Sequence, residues 1–582
     1  MKKQASIFFI IAVSLLAAAL IFVGRCEKKK YVYVPVPSVT RTGTDTGTVP
    51  PQATNPNPSD GDMDVSSGLS NLTVDPVPEA DAFDFYLGTD FTALANATKA
   101  SPEWIGSLPT CSWPVVQLAE FTTYYWRVDT VNAIGTTIGN VWMFFRFSHG
   151  LLAWAKNAGG SAAYGISTLS DGSAIVTGYF QSTAIFGAGE GNETVLTSDE
   201  YGDIFIAKYN PDGALAWAKS AGGAGGGIDD HGRSIYALPD GSAIVTGYFK
   251  RTATFGAGEG NETVLSSAGA CDIFIAKYNP DGTLAWAKSA GGVHSDKGYS
   301  ISALSDGSAV VTGSFWGTAT FGAGEGKETV LSSGSVFIAK YNANGTLAWA
   351  KSAGTSNGNG ISALTDGSSI VTGPGGGLSK YNPDGTLAWA KSAGGSAYAI
   401  STLSDGSAIV TGFFGCAATF GAGEGNETIL SSAGDRDIFI AKYNSDGTLA
   451  WAKRAGGGGG DIGYGISAIP DGSAIITGEF RGSATFGNAS EGNETVLSSA
   501  GGEDIFIAQY NPDGTLAWAK SAGSGGFDYG RGISALSDGS ALVTGNFGSF
   551  GGHTATFGAG EDNETDLVSF SAADIFIAKF NP

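Results

Sequence analysis

DGTLAWAKSAGG, residues 281–292, is the stretch from which the architecture can be read, because the chain keeps returning to it. Its Leu-Ala-Trp-Ala-Lys core occurs seven times, with tryptophans at Trp154, Trp217, Trp286, Trp349, Trp389, Trp451 and Trp518. A string of the type DIFIAKYN-PDG stands before most copies, and one of the type GISALSDGSAIVTG follows. Strings that recur in fixed order every few tens of residues define an internal repeat. Such a unit cannot bury its apolar face alone and must stack on its neighbours.

One repeat runs from Tyr164 to Gly222. GISTLS, AIVTGYF, DIFIAKYN and ALAWAKSAG predict four short strands, with Asp-Gly turns after the first and third. Asp-Gly between β-rich runs is a strong hairpin signal. AIVTG and IFIA are apolar at successive positions, so both faces of each small sheet must be covered, as in a blade packed between two others. The unit between Trp349 and Trp389 spans 40 residues and keeps this pattern, with its third strand reduced to GLSKYN. About 40 residues suit a four-stranded propeller blade. Other units insert a segment of the type TATFGAGEGNETVLSS between the second and third strands, which reads as an extra hairpin.

After Trp518 the repeat supplies three strands and reaches Pro582, while Leu151–Lys156 (LLAWAK) is a fourth strand without the three that should precede it. Joining the two completes a circle and removes the free sheet edge that an open array would carry. The expectation is an all-β chain with a seven-bladed β-propeller over 150–582, closed by pairing of its N- and C-terminal strands. The tryptophans then serve as mortar between blades, each able to bury roughly 150–250 Å². These spaced strings resemble the SBBP class of bacterial β-propeller repeats, which implies the same fold for most of residues 150–582.

Residues 56–148 hold strand-like runs, LSNLTVDPV, DAFDFYLGT, TTYYWRVDTVN and VWMFFRF, as a β-sandwich preceding the propeller requires. The spacing of Leu118, Thr122, Tyr124, Trp126 and Val128 resembles the E–F corner and F strand of fibronectin type III domains, with Val74 where that family has a strand-B tryptophan. The resemblance implies a spacer. Upstream, 31–55 mixes Pro, Thr and Gly and reads as an extended linker.

MKKQ and the apolar run Ile7–Val23 form the n- and h-regions of an export signal. Three fates stay open for residues 1–30: cleavage after Ala17–Ala19, retention as a membrane anchor, or lipidation of Cys26 in a sequence similar to a bacterial lipobox. Export to the periplasm or cell surface is expected, with membrane attachment only through this segment. The four cysteines are too scattered for a disulfide framework or a metal knuckle. A formal net charge of −22 repels phosphate backbones and argues against a nucleic-acid partner.

Within the propeller the turns SDGS and NPDG are short and uniform, so variation concentrates in the connections between repeats. Binding residues favour variable loops held by a rigid scaffold. Asp230, Asp296, Asp461 and Asp528 each stand five residues before a first-strand isoleucine. They read either as caps of their own glycine-rich turns or as oxygen ligands for a divalent cation at one channel mouth. Asp229, Asp230, His231 and Arg233 form the densest polar cluster, and Arg531 lies in the corresponding loop near the end of the chain. The inserts carry E-G-N-E-T variants, Glu190/Glu193 to Glu561/Glu564, which read as solvated hairpin tips. His149, His231, His294 and His553 have no zinc spacing or recurrent partner. No resident cofactor is therefore expected. The preferred expectation is a non-catalytic scaffold that presents this rim to a glycan or a protein. The alternative is a secreted carbohydrate-active hydrolase or lyase using carboxylates at the channel mouth.

Overall fold

Each Asp-Gly turn fixes where a strand must reverse. In the turn after the third strand, Asn210 N–H donates to Ala214 O (2.8 Å), and Gly213 adopts φ +85°. That left-handed conformation suits glycine. Any Cβ at Gly213 would also lie 2.7 Å from the Trp154 ring, so the turn and the tryptophan of the neighbouring repeat are matched surfaces.

The computed structural model describes residues 48–65, 71–115, 122–146, 150–198, 201–223, 230–332, 335–353, 358–373, 375–491, 493–548, 552–570 and 573–582. The export segment, Cys26, most of the linker, Leu118 and Asp229 lie outside them. Two compact units divide between Phe147 and Ser148. Among the described residues no helix is long and apolar enough to cross a membrane.

In the second unit the strands Ala162–Thr168, Ala174–Phe180, Asp203–Tyr209 and Leu215–Ala221 pair antiparallel in that order. The same four-strand set recurs with first strands beginning at His231, Lys297, Gly360, Ser396 and Ile462. The last set consists of Tyr529–Ala535, Ala541–Phe547, Asp574–Phe580 and, as its fourth strand, Leu152–Gly159. Ile577 stands opposite Lys156 and Ala578 opposite Ala155. LLAWAK thus pairs with IFIAKF, as the sequence predicts. Even the turn is rebuilt without a covalent link: Asn581 N–H donates to Leu151 O (2.7 Å) and Gly150 N–H to Pro582 O (3.2 Å).

Around the centre, hydroxyls of one first strand accept amides of the next. Ala237 N–H donates to Ser167 Oγ, Ile301 to Ser234, Ile361 to Ser300, Thr402 to Ser362, Ala468 to Ser401, Ala535 to Ser467 and Thr168 to Ser534, at 3.0–3.2 Å. The circuit returns to its starting strand, so the second unit is a closed, propeller-like ring of repeated sheets. Its cores lie between adjacent sheets. Ile204 and Ile206 of one repeat, for example, pack with Val245, Phe249 and Phe274 of the next. Outside, Trp154 Nε1 donates to Pro211 O (3.1 Å), Trp217 to Pro280 O and Trp451 to Pro512 O, each crossing to the following repeat.

The inserts are hairpins, such as Thr183–Phe186 paired with Thr194–Thr197. Their glutamates correct the expectation of solvated tips. Glu190 Oε2 accepts the Leu215 amide (2.6 Å) on the edge of its own fourth strand, and Oε1 takes Lys156 Nζ (3.0 Å) from the preceding one. Glu259, Glu325 and Glu561 repeat both contacts. Each hairpin therefore covers an otherwise open sheet edge and clasps two repeats together.

The first unit forms a sheet in the order Asp62–Val65, Val141–Arg146, Thr122–Val131, Ala82–Gly88, Trp104–Leu108, beside a separate pair, Asn71–Thr73 and Ser112–Pro114. Trp126, Val128, Phe85 and Phe144 are fully buried. Arg127 is also buried, although no apolar pattern foretold it. Its guanidinium donates to the carbonyls of Leu94 and Ala97 at the end of a short helix, Phe91–Ala95, and to Asp129. A buried cation needs such complete pairing.

Candidate functional site

The ring places one residue of every first strand, two before its isoleucine, at a single level of the central channel. These are Tyr164, Arg233, Tyr299, Asn359, Tyr398, Tyr464 and Arg531, all half-buried, around a cavity of about 380 Å³. Planar groups tile the wall. The Arg233 guanidinium sits 4.2 Å over the Tyr164 ring, Arg531 sits 4.4 Å over Tyr464 and 4.3 Å over Tyr529, and the Tyr398 and Tyr464 rings are 5.5 Å apart. Cation–π contacts of this kind hold arginine side chains extended while leaving ring faces and N–H edges for a ligand.

Two flanks of the mouth differ in charge. On one, His231 stacks on Tyr179 at 4.2 Å and Tyr248 at 4.9 Å, and Lys297 Nζ lies 4.5 Å over Tyr248. Burial, then the charges of Arg233 and Lys297, push the His231 pKa down to about 3, so the imidazole is neutral at pH 7. The other flank is acidic. Glu479 is 8% exposed, lies beside Tyr464 and sits within the field of Arg531 and Glu503. Burial dominates and raises its pKa to about 7. Oε2 of Glu479, Oε2 of Glu503 and Nε of Arg531 are buried without hydrogen-bond partners among the described residues.

The predicted aspartates do a different job from His231 and the arginines. Asp296 accepts Gly292 N–H (2.7 Å) and Trp316 N–H (3.0 Å); Asp461 accepts Gly457 N–H (2.7 Å) and Arg481 N–H (2.9 Å). Asp528 accepts Ser524 N–H (2.6 Å) and Gly548 N–H (2.7 Å), and Asp230 accepts Lys250 N–H (2.9 Å). Each ties the loop entering a first strand to the one leaving the second. All four are buried, and burial raises the pKa of Asp296, Asp461 and Asp528. Among the described residues no three His, Cys, Asp or Glu side chains come close enough to hold a metal ion.

The structure thus brings His231 and Arg233 into one cluster and Arg531 into another, and keeps the aspartates in separate turns. Sequence reasoning missed Tyr164, Tyr299, Tyr398, Tyr464, Glu479 and Glu503. A usable signal was present in the alignment of repeats. At the register of Glu479 other repeats have Tyr179, Tyr248, Ser314, Phe413 and Asn546, and at that of Glu503 they have Gly202, Cys271, Gly334, Arg436 and Ala573. An acid in that column is the departure.

No family model matches the chain. It is 25% identical over 421 residues to an uncharacterised WD repeat-containing protein, L264, of Acanthamoeba polyphaga mimivirus, and covers 66% of this chain but only 28% of that relative. Similar solved structures include the WD40 β-propeller domain of Doa1 (11% identity, TM-score 0.38, 74% of this chain and 96% of that one). They also include U3-55K (9%, 0.39, 74% and 99%) and Raptor of Chaetomium thermophilum (9%, 0.40, 74% and 29%). The chain is a β-propeller repeat protein similar to WD repeat proteins.

Proposed function

We propose that the chain is an exported, non-catalytic surface or periplasmic scaffold whose seven-bladed, SBBP-like propeller binds a glycan or a protein at its channel mouth. One observation carries this reading: Tyr, Arg and Asn side chains stand at one level around an open channel. Aromatic faces beside planar hydrogen-bond donors suit the C–H faces and hydroxyls of a sugar ring, or the side chains of an inserted loop. The preceding unit, with Tyr124 stacked on Phe144 at 5.6 Å, is read as a fibronectin type III-like spacer.

A second reading rests on Glu479. A carboxyl with a pKa near 7 beside another acid has the protonation range of a general acid or base, which favours a carbohydrate-active hydrolase or lyase. Glycan-array and protein-capture measurements on the full chain, run beside hydrolysis assays, separate the two. Binding without turnover, weakened at least tenfold by Tyr464→Ala or Arg531→Ala, supports the scaffold. Turnover lost in Glu479→Gln supports the enzyme and sinks the scaffold.

A further inference from the structure

The repeat beginning at Gly360 has no hairpin. Only residues 374–376 separate its second strand, Ser369–Gly373, from its third, Gly377–Tyr381. Its fourth strand, Leu387–Ser392, is accordingly bare. Leu387 is 55% exposed, whereas Leu215, Leu284, Leu449 and Leu516 at the same position are each 1% exposed. The glutamate that clasps two repeats elsewhere is missing as well. Lys156, Lys219, Lys288, Lys391, Lys453 and Lys520 each pair with a glutamate of the following repeat. Lys351, whose following repeat is this one, is exposed and has no carboxylate within salt-bridge distance among the described residues.

The socket for an aromatic ring is empty too. In the other repeats a hairpin phenylalanine packs on a third-strand phenylalanine, as Phe255 does on Phe274 at 5.1 Å. Gly377 holds the third-strand position here, and a Cβ built on it meets nothing within 4 Å. An ammonium group, an uncapped edge amide at Leu387 and an aromatic-sized space therefore coincide on one side of the ring.

We propose that this notch is the docking edge for a β-hairpin of a partner protein that carries a glutamate and an aromatic residue. The occupant's chemistry follows from the six hairpins of this chain. Its carboxylate bridges Lys351 Nζ and the Leu387 amide, its ring fills the space above Gly377, and its backbone covers the open strand edge. This site lies on the outer edge of the sheets and is independent of the channel mouth.

The probe is a fluorescein-labelled peptide with the sequence of Thr252–Ser267, titrated with the full chain by anisotropy. Saturable binding is expected, weakened at least tenfold by Lys351→Glu in the chain or by glutamine at the peptide's Glu259 position. Grafting Thr252–Ser267 between Gly373 and Gly377 should fill the notch and abolish binding. Lys351 is exposed, so its substitution decides the matter even if the graft fails to fold. No binding to the parent chain overturns the proposal, as does binding indifferent to Lys351→Glu. Sedimentation showing a dimer that the graft dissolves would give the edge to a second copy, which also overturns it.

Discussion

Glu479 shows how far one residue can depart from its column. Its carboxyl is held near 7, above an ordinary value of about 4.3, so the folded chain holds this proton more tightly than the unfolded chain. The sign follows. Stability from this group is full below pH ~4.3, declines as pH rises towards 7 and is lost above it, a change on the order of 3 kcal/mol. Glu479→Gln should remove that slope. Urea unfolding of parent and variant at pH 5 and pH 8 is therefore expected to show the variant gaining about 2–3 kcal/mol relative to the parent at the higher pH. Parallel behaviour would mean that the carboxyl titrates normally. Asp461, raised to about 6, and Asp504, raised to about 7, tilt both chains the same way, so the difference isolates Glu479. The site was legible only in part. His231, Arg233 and Arg531 stood out as charges in variable loops, whereas the tyrosines look like ordinary strand residues until the ring sets them face to face.

At the scale of elements the hairpins carry more than their sequence suggests. E-G-N-E-T between turn residues has the composition of a solvated tip, and nothing local distinguishes Glu190 from Glu193. Their partners do. Glu193 accepts the nearby Gly189 amide, while Glu190 reaches residues 25 and 34 positions away. Contacts of that range are invisible to a local reading. Glu259→Ala should leave the Leu284 edge amide and Lys219 without their carboxylate. The expected loss is about 1–2 kcal/mol in denaturant unfolding, since a partly buried, charge-assisted bond to a backbone amide is involved. Glu262→Ala, which loses only the local Gly258 contact, should cost less. Equal effects would deny the clasp. The strands themselves were readable, because Asp-Gly turns and uninterrupted apolar runs demand sheets covered on both faces.

For the whole molecule, the decisive contact joins residues more than 400 positions apart in the sequence, yet it was the easiest to foresee. A fourth strand without predecessors and a final repeat without a fourth strand leave little choice once exposed edges are disfavoured. Deleting Asp574–Pro582 should strip Leu152–Gly159 of its pairing partner and uncover Phe547 and Trp518. Light scattering should then report association, and the melting transition should fall by several degrees. A truncated chain that stays monomeric and melts like its parent would refute the closure. The hydroxyl-to-amide contacts around the channel all point the same way, each repeat donating to the one before it. Interfaces of this head-to-tail kind close when the rotation per unit divides a full turn. No position on such a wheel ranks first, so the ring contacts themselves do not dictate where the covalent seam falls. What the residues encode is a sense of rotation, and the same wheel could be cut at another tight turn and spliced at the present gap without changing a single spoke.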